Sequence, residues 1–302
     1  MFWLLLVGAV GSVLAADKPH VLLLVLDDFG WANAGWHRVP GAPGSDEVVT
    51  PNLDALVRTG VELNRSYVYQ FCSPSRSALQ SGRNPVHVNL YNQAIPLHNP
   101  QNVESGGMGM ARNMTGIAVK MREGGYATHQ FGKWGIGCLS PGHTPLGRGY
   151  DTSFGYFDHT LDYWSEKAYE QCPTFQTTDL WASDGPAYGV NGSFTCNQSN
   201  QDCAFLDSLI VDRLLATIAA HDPAQPLFLY WAPHATHSPL EVPHKYYDRF
   251  PFVSNATKPS NFRRLYDALT NFIDEAVGNV TSALRAKGMY DNLLVIMTTV
   301  RL

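Results

Sequence analysis

From His20 to Leu26 the chain reads HVLLLVL, and the apolar run halts at Asp27-Asp28. A run without polar alternation predicts a central strand of a parallel sheet, buried on both faces. Similar signals recur at Ala127 to Phe131, which leads into Gly132-Lys133-Trp134, at Pro226 to Trp231 (PLFLYW) and at Leu293 to Met297 (LLVIM). Between them lie helical patterns. Thr50-Pro51-Asn52-Leu53-Asp54 has N-cap and first-turn proline chemistry and opens a helix to Thr59, stopped by Gly60. Met114 to Arg122 predicts a helix stopped by Gly124-Gly125. Phe205 to Ala220 carries Leu, Ile and Val at helical spacing, and Leu265 to Ala286 predicts a long amphipathic helix. Pro141 to Asp151, rich in Gly and Pro, reads as a loop. Strands alternating with helices predict an α/β fold with a largely parallel sheet. Ligands of such sheets bind outside the carboxyl ends of the strands. Asp27 and Asp28 are therefore site candidates, although an Asp pair alone reads more readily as a helix cap or a solvated turn.

Composition adds compartment and excludes some partners. The chain has 302 residues, 45% hydrophobic and 16% charged, enough for a sizeable core. A net charge of −5 argues against a nucleic-acid partner, which calls for a basic footprint. Phe2 to Leu14 is a short apolar run followed by Ala15-Ala16, which reads as a signal peptide over residues 1–16, with a mature chain over 17–302. After its removal no segment is long enough for a membrane span. Six sequons, at Asn64, Asn113, Asn191, Asn197, Asn255 and Asn279, agree with a secretory route, secreted or lysosomal. The five cysteines are Cys72, Cys138, Cys172, Cys196 and Cys203. The last three share a polar stretch that predicts a local bridge between two of them, and Cys138 is left to pair with the third or with a partner elsewhere.

The segment Cys72-Ser73-Pro74-Ser75-Arg76 followed by Ser81-Gly82-Arg83 concentrates the chemistry. Ser73 reads as an N-cap and Pro74 as the first helical residue, with Gly82 ending the helix. Cys72 then precedes a helix N-terminus, where backbone N–H groups and the positive dipole end favour an anion. Arg76, one turn in, can reach back with its planar fork.

This segment resembles the type I sulfatase signature, in which the cysteine is oxidised by a dedicated enzyme to formylglycine. The resemblance covers nearly all of the mature chain and is strongest to the arylsulfatase B-like branch. It is also carried by Pro19 through Asp27-Asp28-Phe29-Gly30-Trp31, by Thr50 to Leu56, and by Gly125 to His129 with Gly132-Lys133-Trp134. Arg148-Gly149-Tyr150-Asp151 with Phe154-Gly155-Tyr156, and His237-Ser238-Pro239-Leu240, complete it. It implies an alkaline phosphatase-like sulfatase fold and a sulfuric ester hydrolase acting on aryl or carbohydrate sulfates. By the same resemblance, Asp27, Asp28 and the oxygen at Cys72 bind calcium, and Cys72 as formylglycine is the nucleophile. Arg76 steadies its hydroxylate, Lys133 binds the sulfate or the leaving oxygen, and His237 protonates the leaving oxygen, with His234 as its rival. The implied partners are the formylglycine-generating enzyme and a sulfated small molecule or glycan. The aromatic stretch Phe154 to Tyr169 is a candidate wall for a sugar or aryl ring.

Two positions depart from the family pattern. Gly135 stands where the family has a histidine after Gly-Lys-Trp, and His129 is nearby in sequence. Val300 stands where the strand Asn292 to Val300 would end in Asp-Asn-Gly, which reads as a C-terminally incomplete catalytic domain. Both departures keep a second reading open, a non-catalytic glycoprotein that binds sulfated glycans or a partner. A metal-dependent phosphodiesterase of the same fold is a third.

Overall fold

The structure is a computed structural model and describes residues 18–88, 110–168, 178–183, 185–187, 197, 203–253 and 261–300. The signal-peptide reading, Cys172, Cys196, Asn191 and Asn255 lie outside them. In chain order the strands are β1 (His20–Leu26), β2 (Ala127–Lys133), β3 (Thr152–Tyr156), β4 (Trp181–Ala182), β5 (Gly185–Pro186), β6 (Leu227–Ala232) and β7 (Leu293–Thr299). The helices are α1 (Pro51–Thr59), α2 (Cys72–Ser81), α3 (Ile117–Glu123), α4 (Leu206–Ala220), α5 (His244–Tyr247) and α6 (Phe262–Ala286).

The strands form one sheet in the order β5-β4-β3-β2-β6-β1-β7. The five strands from β3 to β7 run parallel, and the short β4 and β5 add an antiparallel edge. The uninterrupted run of β1 has its reason in this place: every one of its residues is buried. Leu22, Leu24 and Leu26 face a core shared with α1, α4 and α6, whereas Val21, Leu23 and Val25 face Phe228, Tyr230, Ala118 and Trp134 beside α2 and α3. Each such side chain removed from water contributes about 1.5–3 kcal/mol. β7 lies at the edge of the sheet; Leu293, Val295 and Met297 pack on the core, whereas Leu294 and Ile296 on the other face are exposed.

The register brings the carboxyl ends level. Leu26 pairs with Thr299, Leu24 with Trp231, and Gly132 with Ala232. The segments that follow β1, β2 and β6 therefore emerge together along one edge of the sheet. Gly132 is required for this. Its φ is +91°, and a Cβ there would lie 2.0 Å from the Ala232 carbonyl oxygen, so a side chain would push β2 off β6.

Several elements begin elsewhere than the pattern predicts. α3 starts at Ile117 rather than Met114, and β2 runs on to Lys133. The Pro141 to Asp151 loop contains two short 3-10 turns, Pro141–His143 and Leu146–Arg148. Thr50 precedes α1 as expected, but its hydroxyl accepts from Gly35 N and donates to Asp54 Oδ1, so it does not cap. Asp274 of α6 caps instead. Its carboxylate accepts from Asn52 N at 3.2 Å, Asn52 Nδ2 at 2.8 Å and Leu53 N at 2.8 Å. Burial raises the pKa of this carboxyl, and the bonds from Leu53 and Asn52 oppose the rise.

Asp274→Ala leaves those donors unsatisfied and is expected to lower stability by about 1–3 kcal/mol in urea denaturation. An unchanged midpoint contradicts the capping role.

Candidate active site at the strand ends

At the end of β1 the chain turns sharply. Asp28 takes a left-handed backbone conformation, with φ at 55°. Two hydroxyls pin the turn. Thr236 Oγ1 lies 3.1 Å from the Asp27 carbonyl oxygen as donor, and Tyr266 of α6 donates to the Asp28 carbonyl at 2.6 Å. Asp27 thereby points into the protein, fully buried, while Asp28 stays partly open.

Asp27 collects the cations. Lys133 Nζ, at the end of β2, donates to Asp27 Oδ2 at 2.6 Å, and Arg76 of α2 donates to the same oxygen at 3.1 Å. The second Arg76 terminal nitrogen reaches the Lys133 carbonyl at 3.3 Å and Tyr230 Oη at 3.2 Å. All three charged side chains are shut off from solvent. Burial alone would raise the Asp27 pKa, but Lys133, Arg76 and His237 hold it well below the ordinary value of 3.8. Arg76 also loses solvation, yet Tyr230 and Asp27 raise its pKa.

Cys72 completes the cluster. Its thiol is free, buried, and donates to Asp27 Oδ1 at 3.2 Å. Burial raises its pKa, with Lys133 opposing. The helix begins earlier than the sequence predicts: Phe71 is the N-cap, Cys72 the first helical residue, and Ser73 does not cap. The reason lies in the hydrogen-bond ladder, whose first bond here runs from Ser75 N to Phe71 O. Pro74 at the third helical position still falls among the residues that owe no intrahelical N–H bond. Cys72 therefore sits within the first turn rather than before it. Ser75 Oγ lies at hydrogen-bond distance from the Tyr69 and Val300 carbonyls and ties α2 to the end of β7.

Of the two rival histidines, His237 faces the cluster. Asp27, Cys72 and His237 present ligand atoms all within 4.8 Å of one another. His237 Nδ1 lies 2.7 Å from the Ser238 carbonyl, which can only accept, so Nδ1 carries the hydrogen. Nε2 lies 3.8 Å from Asp28 Oδ2. Burial, then Lys133, lowers the His237 pKa. His234 is structural. Its Nδ1 meets Tyr156 Oη at 2.6 Å and its Nε2 the Leu161 carbonyl at 3.0 Å. The segment is held by Asp207 of α4, which accepts from His234 N and Ala235 N, and whose carboxyl burial pushes up to about 6.

His129 is elsewhere. It bonds Thr152 Oγ1 across β2 and β3, four residues before Lys133 and so roughly 13 Å back along the strand. Gly135 is beside the cluster: a Cβ there would lie 3.3 Å from Arg76 Cδ. Val300 is buried among apolar side chains. The expected aromatic wall is largely core, because Phe154, Tyr156, Tyr163 and Trp164 are buried. Cys138 is a free thiol, which burial, with Asp179 and Asp158 nearby, pushes up to about 12. Cys203 is disulfide-bonded. Asn64, Asn113, Asn197 and Asn279 are exposed.

Several supporting residues carry no sequence signal of their own. Tyr266, Asp207 and Tyr230 lie in elements whose patterns speak only of helix or strand. Thr236 alone has a hint, as the neighbour of His237.

A family model described as Sulfatase matches residues 19–299. The chain is 32% identical to arylsulfatase J of Mus musculus over 94% of its own length and 42% of that protein. It is 29% identical to N-acetylgalactosamine-6-sulfatase of Mus musculus over 98% of its length and 53% of that protein. The chain thus spans about half the length of the curated relatives it matches. A solved structure, Ps i-CgsB in complex with k-i-k-neocarrahexaose, superposes with a TM-score of 0.74 at 24% identity, covering 93% of this chain and 58% of that one. The alkaline phosphatase-like sulfatase fold expected from the signature is the fold of this chain.

Replacing Asp27 leaves two buried cations without their counterion. Asp27→Ala is expected to cost about 3–5 kcal/mol at pH 7. A depressed folded pKa stabilises above the unfolded value of 3.8, and that contribution is lost as pH falls through the folded pKa. The parent should therefore lose this part of its stability below about pH 4, and the variant should not. Equal urea midpoints at pH 7 would count against the ion cluster.

Proposed function

The chain belongs to the sulfatase family, and on that premise we propose that it hydrolyses sulfate esters of aryl or carbohydrate substrates at the Cys72 cluster. One observation carries the reading: a buried, unbridged Cys72 in the first turn of α2, with Asp27, Lys133 and Arg76 around it. The second reading, a non-catalytic binding protein, has no need of this arrangement.

Position 72 fits formylglycine. The thiol is not committed to a disulfide, and the first-turn N–H groups and two cations suit oxygen-bearing, anionic chemistry. Formylglycine at this position would supply a hydrated aldehyde, whose hydroxyls are the nucleophile and the means of releasing sulfate. The dedicated oxidising enzyme is the maturation partner. Asp27 and Asp28 fit a hard cation through carboxylate oxygens. With the oxygen at position 72 they would offer calcium oxygen donors of the kind it prefers, and the ion would supply positive charge beside the ester.

The chain's own residues do the rest. Lys133 and Arg76 bind the sulfuryl oxygens and stabilise the charge that grows on them. Asp27 keeps both cations in place before substrate arrives. His237 holds its ring by Nδ1 and moves a proton at Nε2 to the leaving oxygen. The leaving group is the alcohol of a sulfated small molecule or glycan. The proposed route is the secretory pathway, lysosomal or extracellular, with residues 1–16 as signal peptide and 17–302 as the catalytic portion. The exposed Asn64, Asn113, Asn197 and Asn279 are accessible for glycans, with Asn191 and Asn255 as further acceptors. No helix among the described residues is long and apolar enough to cross a membrane.

The test is turnover of aryl sulfates by chain produced with the oxidising enzyme. Cys72→Ala is expected to abolish it. His237→Gln should lower kcat by about 10²–10⁴-fold on alkyl or sugar sulfates and much less on a nitrophenyl sulfate, whose oxygen leaves without help. Faster turnover of phosphate esters than of sulfate esters would move the assignment to the phosphodiesterase reading, and no turnover of either would favour a binding protein.

A further inference from the structure

Three kinds of donor meet at the strand ends. Cys72 Sγ donates to Asp27 Oδ1 at 3.2 Å, and His237 completes a triad whose ligand atoms all lie within 4.8 Å of one another. The three come from the end of β1, the first turn of α2 and the segment after β6, so the fold builds the triad and no local motif does. Sulfur, imidazole nitrogen and carboxylate oxygen are not a calcium set, which is all oxygen. They are the set of a borderline-soft ion such as zinc, which takes thiolate, imidazole and carboxylate in tetrahedral sites.

The geometry agrees with an ion of that size. Bonds of about 2.0–2.3 Å place tetrahedral ligands roughly 3.5 Å apart. Sγ and Oδ1 already meet that spacing, and the imidazole has little more than about 1 Å to travel. The donors are also held from behind. Lys133 and Arg76 engage Asp27 through Oδ2, which leaves Oδ1 turned to the thiol. His237 Nδ1 is committed to the Ser238 carbonyl at 2.7 Å, so Nε2 keeps the lone pair. A carbonyl partner of this kind fixes the ring of a metal-binding histidine. The side of His237 and Asp28 is the open one, with 11% and 25% of those side chains exposed. It gives an ion its way in and a water its place as fourth ligand.

We propose that the chain in its thiol state binds zinc through Cys72 Sγ, Asp27 Oδ1 and the His237 imidazole. On binding, a metal–sulfur bond replaces the S–H bond, and the proton passes to the buffer. Formylglycine has no sulfur, so conversion of Cys72 removes the site. The inference does not rest on the sulfate-ester reading, since it concerns the unconverted cysteine.

The test is titration of the full chain, produced without the oxidising enzyme, with Co²⁺ as spectroscopic probe and Zn²⁺ as competitor, with melting curves for each variant. The parent is expected to show a thiolate-to-cobalt charge-transfer band that Zn²⁺ removes and Ca²⁺ does not. Cys72→Ser should lose the band, and chain carrying formylglycine should lack it as well. His237→Ala should weaken cobalt binding by about tenfold or more, because even groups that only orient a ligand are worth that much. Cys138→Ala, which alters the other free thiol among the described residues, should keep the band. No band from the folded parent overturns the inference, as does a band that survives in Cys72→Ser or in the formylglycine chain. The band without any ester turnover by converted chain would overturn the hydrolase reading and leave this inference standing.

Discussion

One buried carboxylate organises this molecule. Asp27 is shut off from solvent and holds Lys133 at 2.6 Å and Arg76 at 3.1 Å. A lone charge in that place would be strongly disfavoured, and so would either cation without it. The three are tolerable only together, and each comes from a different element: the end of β1, the end of β2 and the first turns of α2. The arrangement is costly as a stability device, because burying ions rarely improves on apolar packing. Its return is chemical, two cations fixed beside Cys72 with little left to reorganise.

The rest of the fold serves this point. The parallel register sets the strand ends level, Gly132 lets β2 approach β6, and Tyr266 with Thr236 holds the backbone turn that separates the roles of Asp27 and Asp28. Asp207 fixes the segment that presents His237 and turns His234 inward. The position-300 side chain is hydrocarbon and packs in the apolar cluster beside α2.

Much of this was legible in the sequence because it rests on short-range physics. Continuous apolar runs gave β1 and β6, and spacing gave α4 and α6. The Cys72 segment, Asp27-Asp28, Lys133 and His237 form one expected site through their resemblance to a family, and the fold brings all of them to one edge. The remainder was hidden for identifiable reasons. The start of α2 at Cys72 depends on which carbonyl takes the Ser75 N–H, and no propensity decides that. The cap of α1 comes from Asp274, more than two hundred residues away. The apolar β7 run could not reveal that it lies at an edge. Phe154, Tyr156 and Tyr163 read as a candidate ligand wall, and only their burial in the folded chain assigns them to the core.

The central claim is that this cluster exists to use an aldehyde oxygen at position 72. Mass spectrometry of the peptide spanning Cys72, from chain that has passed through the secretory pathway, tests it most directly. The account predicts a peptide lighter by the difference between a –CH2SH and a –CHO side chain, which forms a hydrazone with a hydrazine reagent. An intact, alkylatable thiol at Cys72 in the secreted protein would contradict it.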